Sequence, residues 1–123
     1  MTGGQMAPTT LLGQNSSTTP GGRDSLRDGS PIDLSEMLAI TKGSVYIERT
    51  SVNSPKNIRK TKKAIKKAFK IQMAGLGFSL IEVLSPCPTN WKLSPVDACK
   101  WIDESITKTY PMKVIKDEAG NID

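Results

Sequence analysis

A single cysteine held between two prolines, Ser85-Pro86-Cys87-Pro88-Thr89, is the stretch of this chain best suited to chemistry. Each proline fixes its own φ and biases the residue before it toward extended backbone, so Cys87 is expected in a rigid, non-helical turn. A thiol placed there reads either as a small buried side chain or as a ligand. Cys99 falls mid-helix beside Ala98 and reads as core. Two cysteines are too few for a disulfide scaffold, and the chain has no histidine, which excludes a self-contained zinc site and a histidine-based catalytic dyad. Glu48 and Glu82 lie near strands and suggest an acid/base pair, but no spacing sets their separation, so salt-bridge roles are the reading adopted.

These residues need elements to position them. Phe78, Leu80, Ile81, Val83 and Leu84 form an apolar run between Gly75-Leu76-Gly77 and the prolines, as expected of a central strand buried on both faces. Its carboxyl end, where Cys87 lies, is where open α/β sheets place ligands. Residues 1–30 are rich in Gly, Thr, Ser and Pro, without periodicity, and read alone as a disordered leader. Ser30-Pro31-Ile32-Asp33 reads as a helix start with serine as cap, continued by Leu34, Met37, Leu38 and Thr41 on one face and stopped at Gly43. Residues 44–52 read as a strand. Ser54-Pro55 opens a second helix with Ile58, Ile65, Phe69 and Met73 on its apolar side, and Ser94-Pro95 opens a third. Pro111 closes that region, and 112–115 form a last short strand.

Helix, strand, helix, strand, helix and strand in that order predict an α/β fold with a small parallel sheet joined by crossover helices. Three strands make a poor sheet of that kind, so the fold is expected to be partial. The 123 residues suffice for one small domain, divided here into an irregular segment at 1–30 and an α/β part at 31–123. No segment has the apolar length to span a bilayer, so a cytoplasmic protein that contacts no membrane is expected. The net charge of +5 is concentrated in one helix, with eight basic and no acidic residues from Lys56 to Lys70. That run offers a binding module for nucleic acid or an acidic partner, but no aromatic is interleaved for stacking, and a solvated helix face is the preferred reading.

Met1-Thr2-Gly3-Gly4-Gln5-Met6-Ala7-Pro8-Thr9-Thr10, Tyr46-Ile47-Glu48-Arg49 and the Phe78 to Thr89 stretch together resemble one family. It is the beta, thiamine-diphosphate-binding subunit of the 2-oxoacid:ferredoxin oxidoreductases, in the 2-oxoglutarate and 2-oxoisovalerate branch. The resemblance runs from Met1 to about Ser105. It implies oxidative decarboxylation of a 2-oxoacid to an acyl-coenzyme A and carbon dioxide, with electrons passed to ferredoxin. The implied cofactors are thiamine diphosphate, Mg2+ and a [4Fe-4S] cluster, and the implied partners are the alpha and gamma subunits and ferredoxin.

By the same resemblance Thr2, Gly3, Gly4 and Gln5 form the turn beside the diphosphate, where glycine lets main-chain N–H groups approach phosphate oxygens. Cys87 matches one thiolate ligand of the cluster, which needs four. The family's magnesium-binding motif and its N-terminal cysteines precede the Thr-Gly-Gly-Gln turn, and Asn15 and Gly21 replace its usual lysine and tyrosine. The chain is therefore expected to represent the C-terminal half of a subunit, with its N-terminal half missing, and to be inactive alone.

Overall fold

The computed structural model describes residues 4–120, so Thr2 and Gly3 of the expected diphosphate turn lie outside the described residues. The fold is α/β: helix α1 (Leu34–Ala39), strand β1 (Ser44–Ser51), helix α2 (Pro55–Met73) and strand β2 (Phe78–Leu84). Helices α3 (Pro88–Trp91) and α4 (Pro95–Trp101) follow, then a π-helical turn over Ile102–Ile106, helix α5 (Thr107–Thr109) and strand β3 (Lys113–Asp117).

Local capping chemistry explains where α2 and α4 begin. Ser54 and Ser94 accept hydrogen bonds from the N–H groups of Asn57 and Asp97, each with proline at the first helical position, as expected. The first helix starts later than expected. Its cap is Asp33, which accepts from the Glu36 N–H, rather than Ser30. The reason is tertiary: the Ser30 carbonyl accepts from Arg23 and the Ile32 N–H donates to Pro8, so residues 30–32 belong to the preceding coil. The expected apolar face of α1 is also not buried, since Leu34 and Met37 are exposed while Ser35 is covered.

The sheet order is β2-β1-β3, with β1 and β2 parallel and β1 and β3 antiparallel. Two expectations are corrected. The all-parallel sheet is mixed, because the chain leaves β2, passes through α3 to α5 and returns on the far side of β1 in the opposite direction. The apolar run of β2 is an edge strand with Phe78 and Val83 exposed, and the centre is β1. Polar residues fill that centre, with Ser44, Arg49, Thr50 and Ser51 all buried, which hydrogen bonding makes affordable. At the entrance to β2, Gly77 has φ +140°, and a side chain there would meet the Gly43 carbonyl oxygen at 2.7 Å.

Helix α2 lies on the Tyr46 face of the sheet, where the Lys67 ammonium stands 4.9 Å from the Tyr46 ring centroid. On the opposite face Leu84, Ile102 and Tyr110 form a small core, flanked by Leu11, Trp91 and Ile106. Between that core and α1 lies the Arg49 side chain, fully buried, ion-paired to Asp33 and to Glu82, with its guanidinium carbon 5.2 Å from the Tyr110 ring centroid.

Composition alone makes residues 1–30 a leader, yet the described ones, 4–30, form a hydrogen-bonded coil around one buried cation. Arg23 donates through Nε to the Gly29 carbonyl, through Nη1 to those of Ala7, Pro8 and Thr10, and through Nη2 to that of Ser30, at 2.8 to 3.0 Å. The planar guanidinium satisfies carbonyls that a helix or sheet would otherwise pair. Tyr110 anchors the coil to the domain, its hydroxyl 3.2 Å from the Thr9 carbonyl oxygen.

Candidate functional site

The turn that ends β2 holds Cys87 as expected, in a non-helical conformation (φ −127°, ψ 71°) immediately before α3. Pro88 occupies the first helical position of that single turn, and Lys92 closes it in the left-handed region at φ 54°. The short helix was not foreseen, because four residues are too few to show periodicity. Its role is to aim Asn90. The Asn90 side-chain amide donates to the Cys87 sulfur at 3.1 Å.

The same Asn90 reaches the expected diphosphate turn. Gly4 is buried with φ +71°, and a Cβ at this position would lie 2.7 Å from Asn90 Oδ1. Glycine is therefore required twice, for the left-handed backbone and for the close approach. The Gly4 carbonyl accepts from the Ser17 N–H at 2.8 Å, which ties the turn to the Ser/Thr-rich coil. A groove of about 420 Å³ opens here, lined by Gly4, Asn15, Ser16, Thr89, Asn90 and Lys92. Its lining of hydroxyls, amides and one lysine suits an anionic oxygen-rich group such as a diphosphate. Gln5 is exposed.

Two of the residues expected in the site, Gly4 and Cys87, eighty-three positions apart by their numbering, thus flank one side chain that the sequence reading did not select. The signal for Asn90 was weak: an asparagine in Pro88-Thr89-Asn90-Trp91 has no periodicity or motif of its own.

A second cavity, about 260 Å³, lies at the carboxyl end of β2 between the Arg23 coil and the sheet. Thr10, Gln14, Glu82, Trp91 and Tyr110 contribute to its walls. The Trp91 indole N–H is buried without a partner among the described residues, and its ring sits 4.5 Å from that of Trp101, centroid to centroid. Burial, then the nearby Asp33 and Glu82 carboxylates, push the Tyr110 hydroxyl above its usual range, so it stays protonated.

Glu48 and Glu82 do not meet. Glu82 is paired across the strands with Arg49, and Glu48 with Ile81, one residue out of step, so the two carboxylates project to opposite faces. Glu82 receives the Arg49 Nε–H at 2.8 Å and the Ser35 hydroxyl, while Glu48 accepts from the Tyr46 hydroxyl. The salt-bridge reading holds for Glu82, which pairs with Arg49, whereas the partner of Glu48 is the neutral Tyr46 hydroxyl.

Among the described residues no group of three or more metal-ligating side chains comes together. The chain's two cysteines cannot supply the four thiolates of a [4Fe-4S] cluster. This chain alone does not fit that group.

By architecture the chain is a partial α/β unit whose loop cluster, at the carboxyl end of a parallel strand pair, joins a glycine turn to a proline-flanked cysteine. Its homologues are subunits of 2-oxoacid:ferredoxin oxidoreductases. It is 45% identical over 120 residues to ketoisovalerate oxidoreductase subunit VorA of Methanothermobacter marburgensis, covering 98% of this chain and 25% of that subunit. It is 37% identical over 108 residues to 2-oxoglutarate synthase subunit KorB of Archaeoglobus fulgidus, covering 88% of this chain and 36% of the relative. With KorB of Methanocaldococcus jannaschii the identity is 34% over 127 residues, 98% of this chain and 42% of the relative. The chain thus spans between a quarter and about two-fifths of these relatives. No family model and no solved structure matches it. Among the described residues no helix is long and apolar enough to cross a membrane.

Proposed function

We propose that this chain is part of the thiamine-diphosphate-binding beta subunit of a 2-oxoacid:ferredoxin oxidoreductase, acting with the alpha and gamma subunits. The observation that carries the reading is Asn90, which donates to the Cys87 sulfur and stands where a Cβ on Gly4 would meet it, between the residues assigned to the cluster and to the diphosphate turn. In this reading Thr2, Gly3, Gly4 and Gln5 form the turn beside the diphosphate and its Mg2+, and the groove at Gly4 receives the anion. Lys92 adds a positive charge at its rim and the Ser16 hydroxyl adds a hydrogen-bond donor. Thiamine diphosphate, when bound, supplies the carbanion stabilisation that decarboxylation of a 2-oxoacid needs.

The residues of this chain bind and orient. Asn90 fixes the direction of the Cys87 sulfur, and the Pro86 and Pro88 rings hold the backbone that carries it. The cavity beside Gln14 and Trp91 shelters the 2-oxoacid end of the site, with the indole N–H as a donor for a carboxylate or ketone oxygen. Coenzyme A and ferredoxin would be engaged by the assembled complex. The relatives' subunit names support this assignment in preference to a nucleic-acid module built on α2.

The test is made on the complex isolated from the organism's own cells through a tag on this chain. Cys87→Ser is expected to leave the subunits associated and to remove the electron-paramagnetic signal of one reduced [4Fe-4S] cluster. An unchanged set of cluster signals would overturn the ligand assignment, and the absence of thiamine diphosphate from the wild-type complex would overturn the family reading.

A further inference from the structure

The cavity of about 260 Å³ at the carboxyl end of β2 has a single charged side chain in its wall, Glu82, and that charge is negative. Glu82 and Asp33 share the guanidinium of Arg49, so the buried cluster behind the wall holds two carboxylates for one cation. Neither arginine of the neighbourhood lines the cavity, and both are committed. Arg49 serves the two carboxylates, and Arg23 serves five main-chain carbonyls. Among the described residues no lysine lines it either. A carboxylate held here therefore gains no counter-charge from the wall and depends on neutral donors.

Those donors are few. The Trp91 indole N–H is buried without a partner among the described residues, and the Thr10 hydroxyl and the Gln14 amide share the same wall. A buried N–H left unpaired costs free energy that an incoming oxygen recovers. The remainder of the lining is aliphatic, from Leu11, Val83, Leu84 and Ile106, and Leu11, Trp91 and Ile106 pack against the core of Leu84, Ile102 and Tyr110. The cavity thus suits a ligand with one hydrogen-bonding head and one alkyl tail. Since an apolar cavity of about 150 Å³ holds benzene, this one takes roughly ten non-hydrogen atoms.

We infer that this cavity selects a short, branched aliphatic 2-oxoacid, with its ketone and carboxylate oxygens on the neutral donors and its alkyl group against Leu11, Leu84 and Ile106. A dicarboxylate such as 2-oxoglutarate is of similar size and is rejected by charge. Its first carboxylate uses the donors, so its second would be buried on aliphatic side chains, beside Glu82 and without a counter-ion. A 2-oxoacid with an aromatic side chain is rejected by size. A smaller one leaves part of the aliphatic wall unfilled and loses the burial of those carbons. The inference rests on the proposed subunit assignment and names the substrate class of that site.

The test measures kcat/KM on the complex isolated through a tag on this chain, for 2-oxoisovalerate, pyruvate, 2-oxoglutarate and phenylpyruvate. The branched acid is expected to rank first, with 2-oxoglutarate lower by on the order of a hundredfold. Any other acid ranking first overturns the inference and leaves the subunit assignment standing, whereas a complex that decarboxylates no 2-oxoacid refutes the assignment itself. Two variants ask whether this cavity is the selector. Leu11→Lys places an ammonium in the aliphatic wall and should raise the ratio of 2-oxoglutarate to 2-oxoisovalerate turnover by about tenfold or more. Leu11→Phe narrows the cavity and should raise KM for 2-oxoisovalerate more than for pyruvate. If Leu11 only supports the fold, both variants lower kcat for every acid alike and leave the ratios unchanged, and that result in an assembled complex overturns the inference. Should neither variant assemble, the ranking in the wild-type complex decides.

Discussion

Arg49 and Glu82 face each other across the parallel pair β1 and β2, with Nε 2.8 Å from Oε2 and the arginine side chain wholly removed from solvent. The same guanidinium pairs with Asp33, the cap of α1, and donates to the Pro111 carbonyl before β3 at 3.4 Å. One cation thus fastens both outer elements to the central strand. Its burial is compensated by two carboxylates and the Tyr110 ring face, so the net gain from the pairs is modest while their loss is costly.

Arg49→Met should therefore destabilise the chain by about 3 kcal/mol, because two partly buried carboxylates lose their counter-charge. Urea unfolding followed by circular dichroism measures it, and an unchanged midpoint would show that the pairs do not bear on folding. Glu82→Gln should cost less, since the amide still accepts a hydrogen bond from Arg49 and Asp33 keeps its pair.

Arg23 should be irreplaceable by lysine. An ammonium cannot reproduce the planar fork that serves five carbonyls, and each charge-assisted bond lost costs on the order of 1 kcal/mol or more. In Arg23→Lys, amide hydrogen exchange is expected to accelerate across residues 7–30 and to change little in β1. Equal acceleration in both would mean that the coil and the sheet unfold as one unit.

Alkaline pH should weaken the fold in a defined direction. Burial raises the hydroxyls of Tyr46 and Tyr110 above the ordinary value of 10.0, so the folded state retains protons that the unfolded chain releases. The stabilisation is complete below pH 10.0 and is lost as pH rises through the folded-state values. A thermal midpoint recorded from neutral to strongly alkaline pH should fall beyond that point, and the fall should be shallower in Tyr46→Phe. A slope identical in the variant would exclude Tyr46 as its source.

Gly4→Ala should disturb a residue at the other end of the groove. The new Cβ displaces the Asn90 carbonyl oxygen, and the left-handed backbone adds about 1 to 2 kcal/mol of strain. Asn90 would then withdraw its N–H from the Cys87 sulfur. In a Cys99→Ser background, alkylation of Cys87 by a maleimide should become faster, as it should in Asn90→Ala. A rate unchanged in both variants would remove Asn90 as the link between the two motifs.

What the amino-acid order determined by itself was whatever depends on neighbours a few residues apart. Ser54-Pro55 and Ser94-Pro95 start their helices because cap and first turn are local hydrogen-bonding chemistry, and the non-helical turn at Cys87 follows from two adjacent prolines. The family resemblance was legible for the same reason, being carried by short contiguous motifs. The tertiary structure alone decided the rest. The strand rich in apolar residues went to the edge and the polar β1 to the centre, because the Arg49 to Glu82 and Arg49 to Asp33 pairs satisfy buried charge across the chain. It turned a composition typical of disorder into a coil wrapped on Arg23, and it made Asn90 the bridge from Gly4 to Cys87. Such contacts join residues tens of positions apart, where periodicity and propensity carry no information about which polar group will find which partner.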